Sequence, residues 1–181
     1  MSENPVPSLL DTQHMDGYLE RLAREISAAC GHEEGLVLVG IRSRGLPLAW
    51  RLAKKLGNLL GKEVHVGSLD IALYRDDLTE KAGAPIIGPT EIPFSLRNRT
   101  VVLVDDVLFT GRTIRAALDA LQDFGRPRRV LLAVLVDRGG RELPIQGDFV
   151  GLKLEIPRHQ RVSVKIAEVD GVDGVFLETR S

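Results

Sequence analysis

Val101-Val102-Leu103-Val104-Asp105-Asp106-Val107-Leu108-Phe109-Thr110-Gly111-Arg112-Thr113 is the stretch whose reading decides the fold. Four consecutive apolar residues, three of them β-branched, predict a strand buried on both faces, as parallel sheets require. A helix follows directly, with apolar spacing over Ile114 to Leu121 and a stop near Gly125. Moving outward, Leu36 to Ile41 and Val130 to Val136 are further uninterrupted apolar runs. Leu48, Ala49, Leu52, Ala53 and Leu56 recur at helical spacing, with Pro47 in the first turn. Strands alternating with helices predict an α/β, doubly wound, mainly parallel sheet.

The rest of the chain is read around that unit. Leu19, Leu22, Ala23, Ile26 and Ala29 predict an amphipathic helix from Asp16 to Cys30, preceded by a loose arm over residues 1–13. The alternation at Val64 and Val66 changes phase after Gly67, which predicts a bulge there. Tyr74 to Leu96 lacks periodicity and predicts a long flexible loop. After Asp137 only short strand-like pieces remain, at Val162 to Ile166 and Val175 to Leu177, which predict a hood over residues 137–181. No repeat or low-complexity tract interrupts the 181 residues, so one domain spanning 1–181 is expected.

Composition narrows the function classes. Lys and Arg number 24 against 25 Asp and Glu, which argues against a surface basic all round but not against a local basic patch. Eighteen of the 24 cations are Arg, whose planar fork suits phosphate and carboxylate. A single cysteine, Cys30, fits a reducing cytoplasm, and neither it nor the four histidines has metal-ligand spacing. No apolar run approaches the roughly 18 residues of a membrane span.

The central stretch also carries chemistry. Ligands of open parallel sheets bind beyond the carboxyl ends of the strands. Here Asp105 and Asp106 arrive at such an end, where two carboxylates can accept hydrogen bonds from a ribose diol. Thr110, Gly111, Arg112 and Thr113 then open a helix, whose free amides suit a phosphate. Together they fit a ribose 5-phosphate. A buried strand with an acidic turn and a capped helix is the plainer reading, but it leaves more positions unexplained. The Lys and the earlier Gly of a P-loop are absent.

This thirteen-residue pattern resembles the signature with which type I phosphoribosyltransferases bind phosphoribosyl pyrophosphate (PRPP). The resemblance implies a pyrophosphate loop at Arg42-Ser43-Arg44-Gly45, often with a non-proline cis peptide, although a solvated basic turn has the same composition. It also implies a flexible β-ribbon loop, opened by Tyr74 and Arg75, that closes over the pyrophosphate. Members acting on 6-oxopurines place an acid where this chain has Phe109 and a Lys where it has Asp137. Hypoxanthine and guanine are therefore disfavoured. Orotate would need a cation for its carboxylate.

Gly40 to Gly45, Asp70 to Leu78, the stretch from Val101, and Leu132 to Ile145 are similar to the bacterial pyrimidine operon regulators, a bifunctional family. That resemblance implies uracil and PRPP as substrates, UMP and pyrophosphate as products, and Mg2+ bound with PRPP, with Asp105 and Asp106 as its nearest acids. It further implies UMP-dependent binding to pyr mRNA leader, a cytoplasmic location, and a homo-oligomer, dimer or tetramer. The implied base pocket takes in Phe109, Asp137, Arg138, Gln160, Arg161 and Val162. Arg24, Arg138, Arg141 and Lys153, with Arg126, Arg128, Arg129 and Lys165, are the cations that could build one basic RNA face, although Gly140, Gln146 and Leu152 depart from the family's basic pattern. Two alternatives stay open: an RNA-binding nucleotide sensor with vestigial transferase activity, and an orotate phosphoribosyltransferase.

Overall fold

A computed structural model describes residues 8–75 and 89–179. Five strands, β2 (Val37–Ile41), β3 (His65–Leu69), β4 (Thr100–Leu108), β5 (Arg129–Asp137) and β6 (Phe149–Lys153), form an all-parallel sheet in the order β3-β2-β4-β5-β6. Successive side chains of a strand point to opposite faces, and β4 supplies both layers of the core. Val102 and Val104 join Leu38 and Ala133 against α1 (Thr12–Cys30) and α2 (Gly45–Leu60). Val101 and Leu103 join Val39 and Leu132 against α3 (Arg112–Leu121). Leu38 and Leu103 are fully buried in opposite layers, and truncating either to Ala should cost about 2–5 kcal/mol.

The first core layer continues into a second sheet. β7 (Gln160–Lys165) and β8 (Gly174–Thr179) pair antiparallel, and β1 (Ser8–Leu10) adds to the other edge of β8. Val162, Val164, Ile166 and Val175 tuck under it, and α4 (Ala167–Asp170) bridges its two long strands.

Several sequence expectations are corrected here. Residues 8–13 are not a loose arm, because β1 is held by β8 and α1 begins at Thr12 rather than Asp16. Asp11 caps that helix by accepting a 2.9 Å hydrogen bond from the His14 amide. The tail after Asp137 is not all hood, since β6 completes the main sheet beside β5. No bulge interrupts β3, whose register against β2 runs unbroken through Gly67. The phase change arises because the strand is buried on both sides at Val66 to Leu69, with the small residues Gly67 and Ser68 filling tight positions. Of the expected flexible β-ribbon loop, residues 76–88 lie outside the described residues. Residues 89–96 return to the core, where Glu91 pairs with Ser68 and Leu96 is fully buried.

Candidate functional site

The two acids sit inside the end of β4, not in the turn beyond it, because the strand runs four residues further than the apolar run alone predicts. Their environments differ sharply. Asp105 is 6% exposed, and its carboxylate accepts a 2.9 Å hydrogen bond from the Asp106 amide. Burial, reinforced by the neighbouring charge of Asp106, pushes its carboxyl well above the usual carboxylate range. Asp106 is half-buried, and its carboxylate accepts 2.8 Å from the Val107 amide. One acid therefore faces inward and favours its protonated form, while the other meets the surface.

The turn after β2 reaches the same point. Gly45, the first residue of α2, leaves no room for a side chain: a Cβ there would lie 2.4 Å from the Val104 carbonyl oxygen and 3.2 Å from the Asp105 Cα. Only glycine lets the Arg42-Ser43-Arg44 turn pack onto the acids. The Arg42–Ser43 peptide bond is cis. Arg44 donates two hydrogen bonds, of 2.7 and 3.0 Å, to Asp170 of α4, which ties this turn to the second sheet. Arg51, one helical face along α2, pairs likewise with Glu168 and Asp173. No local pattern in the sequence singled out Asp170 or Asp173, because their partners lie more than 120 residues away.

On the other side of the acids, Gly111 adopts a left-handed φ of 93°, a conformation that favours glycine. This aims the chain into α3 with the amides of residues 110–113 at the helix start. The Arg112 amide donates to the Thr110 hydroxyl at 3.3 Å, and the Glu142 and Leu143 amides fix the Thr110 carbonyl at 2.9 and 3.1 Å. The Arg112 side chain turns away to Glu142 at 2.8 Å, so the turn presents backbone rather than guanidinium.

Beyond β4 and β5, three of the expected base-pocket residues touch, Phe109, Arg138 and Gln160. Arg138 is 4% exposed, with its guanidinium 3.8 Å from the Phe109 ring centroid and donating to the Gln160 carbonyl at 3.1 Å. Val162 is buried in the first core layer, whereas Arg161 is exposed. Arg141 donates to Asp137 and to the carbonyls of Phe109 and Ile145. These contacts consume both cations internally. The expectation that Arg138 contributes charge to an RNA face is thus corrected, since stacking on Phe109 removes it from the surface.

The basic face is also divided. Lys153 lies beside Asp137 at the carboxyl end of the sheet, Arg24 is exposed on α1 beside Glu20, and Arg128 and Arg129 lie at the opposite end of β5. Tyr74 turns toward the end of α3 rather than toward the acids. The Tyr74 hydroxyl donates to Asp123, just past α3, which holds its phenol above the ordinary value.

Comparison with known proteins agrees with this geometry. Residues 6–167 match the phosphoribosyl transferase domain family. The bifunctional protein PyrR of Thermus aquaticus is 57% identical over 93% of this chain and 93% of its own, and that of Deinococcus radiodurans is 54% identical over 96% and 94%. In structure, a hypoxanthine phosphoribosyltransferase of Staphylococcus aureus superposes with a TM-score of 0.70 at 20% identity, covering 97% of this chain and 91% of that one. One from Trypanosoma cruzi superposes with a TM-score of 0.73 at 15% identity, covering 98% and 94%. Two acids closing a parallel strand, a glycine-packed turn beside them and an amide-lined helix start beyond thus stand on the type I phosphoribosyltransferase fold, and the chain belongs to the PyrR family of phosphoribosyltransferases.

Proposed function

We propose that this chain transfers a phosphoribosyl group from PRPP to uracil, yielding UMP and pyrophosphate, and that with UMP bound it binds pyr mRNA leader. The observation that carries the transferase reading is the convergence of Asp106, the Gly45 turn and the amides of residues 110–113 on one strand end. The C1–O bond to pyrophosphate breaks, its electron pair leaves with that group, and uracil N1 bonds to C1 and loses its proton. Asp106 orients the ribose diol and stabilises positive charge at the sugar. Asp105, inclined to hold its proton, can donate to a hydroxyl or brace its neighbour. The amides from Thr110 to Thr113 hold the 5-phosphate, and Arg42 to Gly45 the pyrophosphate.

Phe109 and Arg138 form one wall of the base pocket, with Asp137, Gln160, Arg161 and Val162 around it. Tyr74 and Arg75 open the closing loop. Asp106 and Asp105, two carboxylates at one strand end, suit a Mg2+ carried by PRPP oxygens. Such a Mg2+ would neutralise the departing pyrophosphate. A dimer or tetramer belongs to this reading. Trp50, 57% exposed on α2 beside Leu46, Pro47 and Val169, supports it. No helix among the described residues is long and apolar enough to cross a membrane.

The test assays uracil, orotate, hypoxanthine and guanine side by side with PRPP. Selective UMP formation is expected, and preference for another base overturns the substrate assignment. The second reading, an RNA-binding nucleotide sensor with vestigial transferase activity, draws on the burial of Asp105 and the engagement of Arg44 by Asp170. A turnover too slow to detect, together with UMP-dependent RNA binding, would select it.

A further inference from the structure

α4 and the turn that follows it set three acids against α2. Asp170 accepts from the Arg44 Nε at 3.0 Å and from its Nη2 at 2.7 Å, and it accepts from the Ile166 amide at 2.8 Å. Two helical turns further along the same face of α2, Arg51 donates to Glu168 at 2.8 Å and to Asp173 at 2.9 Å, and the Ala167 amide fixes Asp173 at 2.7 Å. The two rungs are not equivalent. Arg51 is met by two carboxylates, and that pairing already holds α4 on α2. Arg44 instead belongs to the Arg42 to Gly45 turn. The Asp170 hydrogen bonds, then the charges of Asp170 and of Asp106, hold its guanidinium above the ordinary value, so Arg44 lies in the field of the site as well as that of α4.

An arginine keeps its charge at any working pH, so only a fixed counter-ion can quiet one that stands beside an anion site. Asp170 does so across the Nε edge of Arg44, in the two-pronged geometry that carboxylates favour. As a structural tie the pair adds little, because the Arg44 side chain is 36% exposed and pairs open to solvent contribute weakly to stability. Its larger consequence is for the anion the turn receives. We infer that Asp170 sets how tightly this turn holds pyrophosphate: by discharging Arg44 it weakens the grip on the diphosphate of PRPP and on the released product. The anion is then left to the rest of the turn, where the Nε of Arg42 is buried without a hydrogen-bond partner. Asp170 is thus a positioning residue that acts through Arg44 from 126 residues away. The inference rests on the transferase reading above and adds to its site a residue from the second sheet.

The test measures binding of pyrophosphate with Mg2+ to the full chain by titration calorimetry, beside the steady-state kinetics of UMP synthesis. Asp170→Asn should lower both the pyrophosphate Kd and the KM for PRPP by about three- to fivefold, with the KM for uracil unchanged. Asp170→Glu, which keeps the charge, should return both constants toward wild type. Asp173→Asn is the structural control: it breaks part of the Arg51 rung and should leave pyrophosphate binding and PRPP kinetics as they are. If wild type binds pyrophosphate and Asp170→Asn binds it equally or more weakly, the inference is wrong while the transferase reading stands. A change of the same size in Asp173→Asn would assign the effect to loosening of α4 and overturn the role of Asp170. If wild type neither makes UMP nor binds pyrophosphate, the transferase reading falls and takes the inference with it.

Discussion

The two ends of the parallel sheet handle charge in opposite ways. At the carboxyl end most of the described arginines are already committed, Arg44 to Asp170, Arg112 to Glu142, Arg138 to Phe109 and Gln160, and Arg141 to Asp137, whereas the Nε of Arg42 is buried without a partner. What remains for a ligand there is backbone amide, one half-buried acid and Arg42. At the amino end the backbone is closed into paired turns, and the guanidiniums of Arg97 and Arg126 project without an acidic partner among the described residues. A site built from amides and fixed acids selects one ligand by shape, since each donor has a single position. Exposed guanidinium forks without fixed partners respond to salt instead.

The comparison breaks most completely at the acids. Asp105→Asn with Asp106→Asn should lower UMP synthesis by about 10²–10³-fold or more. Activity within a few fold of wild type would remove the catalytic half. Gly45→Ala is next, because the new methyl must displace the turn from the Val104 carbonyl. About 1–3 kcal/mol of stability should be lost, with transferase activity falling further than a denaturation midpoint explains.

Smaller effects sharpen the electrostatics. Burial raises the Asp105 carboxyl, so the folded state binds that proton more tightly than the unfolded chain does. Its contribution to stability is full below the ordinary carboxylate pKa and is lost as pH rises through the elevated folded value. Asp105→Asn alone should thus melt above wild type at pH 7, with the gap narrowing as the medium is acidified. Asp170 has the opposite sign. Its carboxyl is depressed, first by the Arg44 hydrogen bonds and then by the Ile166 amide, so its contribution is present above the ordinary value of 3.8 and lost as pH falls through the depressed one. Asp170→Asn should lower the melting temperature at neutral pH by about 1–3 °C, and acid titration of the melt should erase the difference.

The sheet was legible because its strands are buried on both faces, so Val37 to Ile41, Val101 to Val104 and Val130 to Val136 could not be solvent-facing segments. β3 and β6 were harder. β3 interleaves small residues with apolar ones, and β6 is a half-covered edge whose five residues resemble any short strand. The acids, the Gly45 turn and the Thr110 to Thr113 turn are each local in sequence and were all identified there. The partners that fix them are not local, and neither Asp170 nor the stacking of Arg138 on Phe109 leaves a periodic trace.

The sequence alone determined that the chain alternates strand and helix, that two carboxylates arrive at the end of its central strand, and that a glycine stands in the turns at 45 and 111. These are consequences of burial and backbone sterics, which act over a few residues. Tertiary structure decided which acid is inward, which arginines are spent on internal partners, and which are left at the far end of the sheet, because electrostatic pairing depends on distances that only the folded chain sets.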